Sequence, residues 1–470
     1  MKIAKNEQRY VTQPILDYIT KTDYKRKDDL YCIIDLIYRR QIYFKTELQR
    51  RYGYIEIPRS SFQKLIPSPN YIREALDFLV ENGLIKRNDF YQYGTISKAK
   101  GYKIMTEYLG SKVPVEITDS KINKRIKEIK LNNRKKRVKN LEFFKSKYYK
   151  NFKIDFDAAM SAITENAISE ISELCKKIKY DISDKRILEL IECRSNTTMD
   201  RIIITQRCGY ELNNILHRLM VHQQQVYAIH DGYLFFKRNK TNGRLDTNLT
   251  SLPSYLRKFL KSDEKLFSLD IKNSQPFFLY TKLQNEIGIN KDELELYGEL
   301  AVNGVLYEYL ANDFFGIDYD SLDDENKVVY REKSKINLFR ILYSKVESYL
   351  SIKEVFAEKF PTIMKYINQV NFKKNNTLAV LLQERESLTV LDMVMVRLQE
   401  KNINPFTIHD SFLVTESELS VVRETLVSVC IEMYGIAPQL HEKDLLEEKM
   451  DSEEDYKFID DGYDLPESFF

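Results

Sequence analysis

Apolar positions recur at helical spacing through the first hundred residues. Asp29 to Glu47 reads as one helix. Arg59 to Ile66 reads as a second, stopped near Pro67 and Pro69. Tyr71 to Leu84 predicts a third, with Ile72, Leu76, Leu79 and Val80 on one face and Gly83 at its end. A strand, a turn and a second strand follow in L-I-K-R-N-D-F-Y-Q-Y-G-T-I-S-K-A-K-G-Y-K-I-M. Residues 117–150 form a helix-compatible stretch without Pro or Gly, and 151–230 read as mainly helical. Two later segments have strand character. In L-F-S-L-D-I-K-N-S-Q, Leu266, Phe267 and Leu269 predict a buried strand with Asp270 at its end. In F-T-I-H-D-S-F-L-V-T, apolar residues flank His409, Asp410 and Ser411, which predicts a hairpin with the acid near its tip. Between them, in Y-R-E-K-S-K-I-N-L-F-R-I-L-Y-S, Arg331, Lys335, Phe339 and Tyr343 are spaced by four and share one helical face.

A chain of 470 residues exceeds one ordinary core, so two or three domains are expected. No apolar run approaches the roughly eighteen residues of a membrane span, and the charged N-terminus has no signal core. Five scattered cysteines without a C-x-x-C pair disfavour a zinc ribbon and suit a reducing cytoplasm. The net charge of +3 hides a gradient: Lys121 to Lys150 holds thirteen Lys or Arg against Glu128 and Glu142, while the chain from Glu442 onward is acidic. That polarity points to a polyanionic partner. Three helices followed by a basic hairpin resemble a winged helix-turn-helix. In that arrangement the helix around Tyr71 would enter a DNA groove and the hairpin would meet phosphates. The domains expected are 1–115, winged-helix-like and binding DNA or a partner; 116–230, basic and helical; 231–447, catalytic; and 448–470, an acidic tail that would recruit a replication or host partner or fill the basic groove.

Two carboxylates on neighbouring strands can hold a pair of Mg²⁺ ions roughly 3.5–4 Å apart, with Mn²⁺ as a substitute. The cations of the 331–343 segment suit a triphosphate, and its aromatics suit a sugar and base. Upstream, K-T-N-G-R-L-D-T-N-L-T-S-L-P is a polar loop in which Gly243 permits a tight turn beside Arg244.

In this order the segments resemble family A DNA polymerases, the bacterial polymerase I type. T-N-G-R-L-D-T-N-L-T-S-L-P is similar to that family's T-G-R-L-S-S…N-L-Q-N-I-P loop, and L-D-I-K-N-S-Q to its motif A, L-D-Y-S-Q-I-E. R-E-K-S-K-I-N-L-F-R-I-L-Y-S is similar to motif B, R-x3-K-x3-F-x3-Y-G, and I-H-D-S to motif C, V-H-D-E. K-F-P-T-I-M-K-Y-I and the helix with Gln383 are weaker echoes, and the match spans roughly residues 230–425. The resemblance implies an α+β fold: a right-hand polymerase palm and fingers, a reduced helical thumb from about Lys121, and the small N-terminal winged unit. It implies that Asp270 and Asp410 ligate the metals and that Arg331 and Lys335 bind the triphosphate. Phe339 would sit against the sugar and Tyr343 at the base of the fingers. Arg244 and Gln383 would contact the primer–template, with His409 close to the primer terminus.

Gln275 stands where the family has the motif A glutamate that helps exclude a ribose 2′-hydroxyl. Ser411 replaces the motif C glutamate, as in phage single-subunit RNA polymerases, which share this palm. Arg340 and Ser344 replace motif B glycines. No D-x-E exonuclease motif precedes residue 230. The expected function is template-directed DNA synthesis without proofreading, of a kind suited to a phage, plasmid or other mobile element. Two alternatives remain open: an enzyme that makes RNA, primes or adds nucleotides without a template, and a non-catalytic DNA binder on a polymerase scaffold.

Overall fold

The computed structural model describes residues 6–41, 53–88, 99–374 and 376–447. The far end of the predicted first helix, the tip of the N-terminal hairpin (89–98) and the acidic tail lie outside them. Near the N-terminus, β1 (Gln8–Thr12) and a short helix, Gln13–Lys21, are followed by α1 (Lys27–Gln41), β2 (Ile55–Glu56), α2 (Arg59–Gln63) and α3 (Pro69–Glu81). Next come β3 (Ile85–Asn88), β4 (Gly101–Ile104) and β5 (Lys112–Glu116). β2, β4 and β3 form an antiparallel sheet in that order, and β1 pairs with β5. In α3, Pro69 opens the first turn, where its missing N–H costs nothing, and Ile72, Ala75, Leu76 and Leu79 are buried. Asn82 caps the helix and Gly83 adopts φ +68° just beyond it. The exposed face of α3 carries Arg73 against Glu74 and Glu81, and the Arg26 guanidinium lies 3.3 Å from the Tyr71 ring centroid.

The basic stretch is two helices, α4 (Ser120–Lys135) and α5 (Glu142–Asn151). The Asp119 carboxylate caps α4 by accepting from the backbone N–H groups of Lys121 and Ile122 at 2.8 and 3.0 Å. Ile122 and Ile126 hold its inner face. Between the helices Asn140 adopts φ 65°, which an asparagine tolerates without help from Gly or Pro. α6 (Phe156–Lys177) then packs along α7 (Thr198–His230). α7 also anchors the N-terminal strands: Tyr10 stacks on Tyr227 at 3.7 Å and donates its hydroxyl to Asp231 at 2.5 Å, and buried Lys112 donates to Gln224 at 2.8 Å.

The second half is organised by an antiparallel sheet ordered β11 (Leu440–Asp444), β8 (Leu266–Ile271), β10 (Ser411–Thr415) and β9 (Phe406–Ile408), after the small hairpin β6 (Phe236–Arg238) and β7 (Leu245–Thr247). Helices α8 (Ser274–Leu283), α9 (Leu306–Phe315), α10 (Asp324–Tyr343), α11 (Thr377–Ser387) and α12 (Leu419–Tyr434) surround it. Side chains alternate across the sheet, so Leu269 and Phe412 pair directly and are wholly buried, while Asp270 and Ser411 share the other face. Leu266 and Phe267, expected to be buried, are only half-buried; Leu269 and Ile271 carry the inner face of β8. Phe412→Ala should therefore destabilise this sheet by about 3–5 kcal/mol through lost burial plus cavity, measured by denaturant unfolding.

Candidate active site

β9 and β10 are joined by two residues, His409 and Asp410, because Ile408 pairs with Ser411. So tight a connection demands a positive φ at its first position, and His409 supplies it at 57°. Asp410 therefore sits at the hairpin tip, one residue before Ser411, which lies directly across from Asp270. Two carboxylates converge at one end of adjacent central strands. The Asp270 carboxyl is pushed well above the usual carboxylate range, first by loss of water and then by the negative charge of Asp410. Lys335 opposes that shift, so α10 brings a cation within electrostatic reach of the acidic pair.

All four residues of the predicted α10 stripe are half-buried. The Arg331 Nε donates to Glu308 at 2.8 Å and an Nη donates to Glu332 at 3.0 Å, with the guanidinium 5.4 Å from the Tyr307 ring centroid. Lys335 reaches Glu332 at 3.3 Å. Phe339 and Tyr343 stack at 5.5 Å. The two cations thus rest on carboxylates, an anion-binding arrangement that a phosphate can enter by exchange.

Below this stripe a chain of hydrogen bonds crosses four elements. Tyr343 donates its hydroxyl to the Gln275 Oε1 at 2.8 Å, and the Gln275 Nε2 donates to Glu386 at 2.6 Å. Glu386 receives Arg244 in a fork at 2.8 and 2.6 Å. The turn that carries Arg244 is pinned to α11 and the turn of π-helix after it: Asn242 donates to Gln383 at 3.0 Å, Ser387 donates to the Gly243 carbonyl at 2.5 Å, and Arg238 forks onto Asp392. Gly243 is required there, since φ is +71° and a Cβ would lie 3.0 Å from the Ser387 hydroxyl. Arg244 and Gln383, expected at a primer–template, are held here by protein partners. Gln383 and Gln275 are buried.

Burial, then the charges of Arg244 and Arg257, hold the His409 imidazole down at about 3, so it is neutral, and its Nδ1 has no partner. On the other side of Asp270 stands His441 of β11. Among the described residues no cluster of three or more His, Cys, Asp or Glu side chains could hold a metal. A cation on Asp270 and Asp410 would complete its shell from backbone carbonyls, water and substrate.

Sequence reasoning missed Glu308, Glu332, Glu386 and His441. For Glu386 a signal existed: it falls three and four residues after Gln383 and Leu382 and seven after Ala379, on the apolar stripe of its helix. A charge on a core stripe is rare unless paired. Glu386 is completely buried, and burial raises its carboxyl to about 7 against the opposing pull of Arg244.

No protein-family model matches the chain, and no curated protein matches it. Among solved structures, the chain is similar to the POL domain of Pol1 from M. smegmatis in complex with DNA primer-template and dNTP, at 12% identity and a TM-score of 0.43, over 68% of this chain and 72% of that one.

Proposed function

We propose that the protein is a nucleotidyltransferase that extends a DNA primer on a template, without a proofreading activity. The observation that carries this reading is the meeting of Asp270 and Asp410 at one end of β8 and β10, with Lys335 of α10 within electrostatic reach. The resemblance of the same segments, in the same order, to polymerase motifs supports it.

Asp270 and Asp410 would hold Mg²⁺. The fit is chemical: short side chains offer hard oxygens, and the Asp270 carboxyl is raised by burial and then by the negative charge of Asp410, which a cation would balance. When bound, the ions would lower the pKa of the primer 3′-hydroxyl and neutralise the departing pyrophosphate. The chain's own residues do the rest. Arg331 and Lys335 exchange Glu308 and Glu332 for phosphate oxygens. Phe339 and Tyr343 offer a stacked aromatic wall to the sugar and base. The 3′-oxygen attacks the α-phosphorus, and the bond to the pyrophosphate oxygen breaks. Catalysis rests on positioning and charge placement.

Exposed Lys121, Lys124 and Lys127 on α4 suit a duplex backbone better than the exposed face of α3, where Glu74 and Glu81 outnumber Arg73. The 1–115 unit, of winged-helix type in this reading, then serves to recruit a partner or DNA end. Changing all three lysines to Gln should flatten the slope of log affinity against log salt by about 2–3, because each phosphate contact releases counterions. Titrating duplex DNA across a salt series measures this, and an unchanged slope would remove α4 from the duplex path.

The deciding test is extension of a labelled DNA primer, with deoxy- and ribonucleotides supplied separately, with and without template. Templated deoxynucleotide addition is expected. A second reading, RNA synthesis or untemplated addition, is favoured by Gln275 and Ser411, and extension in those lanes alone would select it. Tight DNA binding with no extension in any lane would select a scaffold.

A further inference from the structure

Glu386 belongs to none of the three metal and nucleotide motifs and lies on the helix of Gln383, yet it links three of the elements that build the site. It is wholly buried, and both of its oxygens are in use. Arg244 balances its charge from one side, and the turn bearing Arg244 is itself fastened to the same helix through Gly243 and to the helical turn after it through Arg238. Although burial raises its carboxyl, the Arg244 fork and the Gln275 amide engage both oxygens as acceptors, so in this ionised form Glu386 is a fixed acceptor.

The residue it fixes is Gln275. A glutamine amide has a donor end and an acceptor end of almost the same shape, so its neighbours decide which way it faces. Against a carboxylate that only accepts, Gln275 must turn its Nε2 to Glu386, at 2.6 Å. Its Oε1 is then left to Tyr343, which donates its hydroxyl at 2.8 Å. Neutral Gln275 thus presents to Tyr343 the acceptor that a carboxylate would present. The negative charge sits one residue further back, on another helix. Each bond in such a chain polarises the next.

Resting on the reading of this site as a nucleotidyltransferase, we infer that Glu386 is the positioning residue for sugar selection. By fixing the Gln275 amide it commits that amide and the Tyr343 hydroxyl to each other. A ribose 2′-hydroxyl set against them gives up water and gains no partner, so the site takes deoxynucleoside triphosphates. An unpaired buried hydroxyl is costly, whereas a 2′-deoxy carbon asks for nothing.

The test is the ratio of kcat/KM for a deoxynucleotide to that for the matching ribonucleotide, on one primer–template with the full chain. Wild type should favour the deoxynucleotide. In Glu386→Gln the neighbour both donates and accepts, and Gln275 is free to turn over. The ratio should fall about tenfold, mostly through a lower KM for the ribonucleotide, with kcat for the deoxynucleotide little changed. Tyr343→Phe removes the other end of the chain without touching a buried charge. It should lower the ratio likewise, which decides the matter if Glu386→Gln does not fold. The double change Gln275→Glu with Glu386→Gln returns an acceptor-only group to the Tyr343 partner and should restore the ratio. An unchanged ratio in folded Glu386→Gln, or in Tyr343→Phe, overturns the inference and leaves the nucleotidyltransferase reading standing. A wild-type chain that adds neither nucleotide removes both.

Discussion

Asp270→Asn is expected to lower nucleotide incorporation by roughly three orders of magnitude, since charge stabilisation of the transition state by bound metal is worth several kcal/mol and each 1.4 kcal/mol is tenfold. The fold should not suffer. Asn has the same shape, and the change removes a charge that burial and Asp410 both disfavour. The sign follows from the direction of the shift. A carboxyl raised on folding costs stability when ionised, so the variant gains at neutral pH, and the gain fades as pH falls and Asp270 takes up its proton. Tm should be unchanged or higher by about 1–3 °C. Asp410→Asn should match it in activity. The opposed signs separate a functional carboxylate from a structural one, because a strand-end cap would lose stability on the same substitution. Primer extension alongside thermal unfolding reads both. Activity within tenfold of wild type would remove Asp270 from the chemistry.

Much of this pair was legible in the sequence, and the reason is local. Strand alternation around Leu269 and the short polar break at His409 and Asp410 are patterns of a few residues. What brings them together is not local. The register of β8 with β10 joins residues about 140 apart, and β11 closes the other edge from further still. β1 was missed for the same cause: its five residues are too few to declare a strand, and their partners in β5 lie a hundred residues on. The split between α4 and α5 starts at Lys136, whose backbone is extended, and turns at Asn140, with no Gly or Pro to announce it. The spacing of Arg331, Lys335, Phe339 and Tyr343 predicted a shared face, but not the acids that occupy the cations, since Glu308 arrives from a separate helix.

Glu386 is the instructive omission. In Q-E-R-E-S-L-T its charge reads as part of a solvated helix end, and Glu384 two residues earlier is indeed exposed. In sequence the two differ only in that Glu386 falls on the apolar stripe of its helix, and packing then buries it. The partners that make burial of Glu386 tolerable come from Arg244 and Gln275, each more than a hundred residues away. Arg244 is explained by the same contact. The family resemblance implied a contact to nucleic acid for it, and the structure engages two of its three guanidinium nitrogens with Glu386. A nucleic-acid role for Arg244 would have to use the nitrogen that remains or displace the fork.

Lys335→Ala should lower kcat/KM for the incoming nucleotide by about 10²–10³-fold, the scale on which a preorganised charge at a reacting phosphate acts. Lys335 is the cleaner probe of the two cations. Its partner Glu332 is exposed to a similar degree, and an ion pair of that kind contributes about 0–1 kcal/mol, so the fold should be indifferent to its loss. Removing Arg331 would instead strip Glu308 of its partner while one Glu308 oxygen is already buried without one, mixing a stability effect into the kinetics. Lys335→Arg keeps the charge and should retain most of the activity, with the remainder lost to geometry. The loss in Lys335→Ala should fall on kcat as well as KM, because a group placed near both Asp270 and the triphosphate acts as charge builds on the leaving oxygens. Glu332→Gln carries the opposite sign. It frees Lys335 and one Arg331 nitrogen from a competing carboxylate, so nucleotide KM should fall by a few-fold, the worth of one exposed ion pair. Steady-state kinetics of single-nucleotide addition measure all three. A Lys335→Ala enzyme with unchanged kcat/KM would detach α10 from the triphosphate and leave its four-residue stripe a matter of packing.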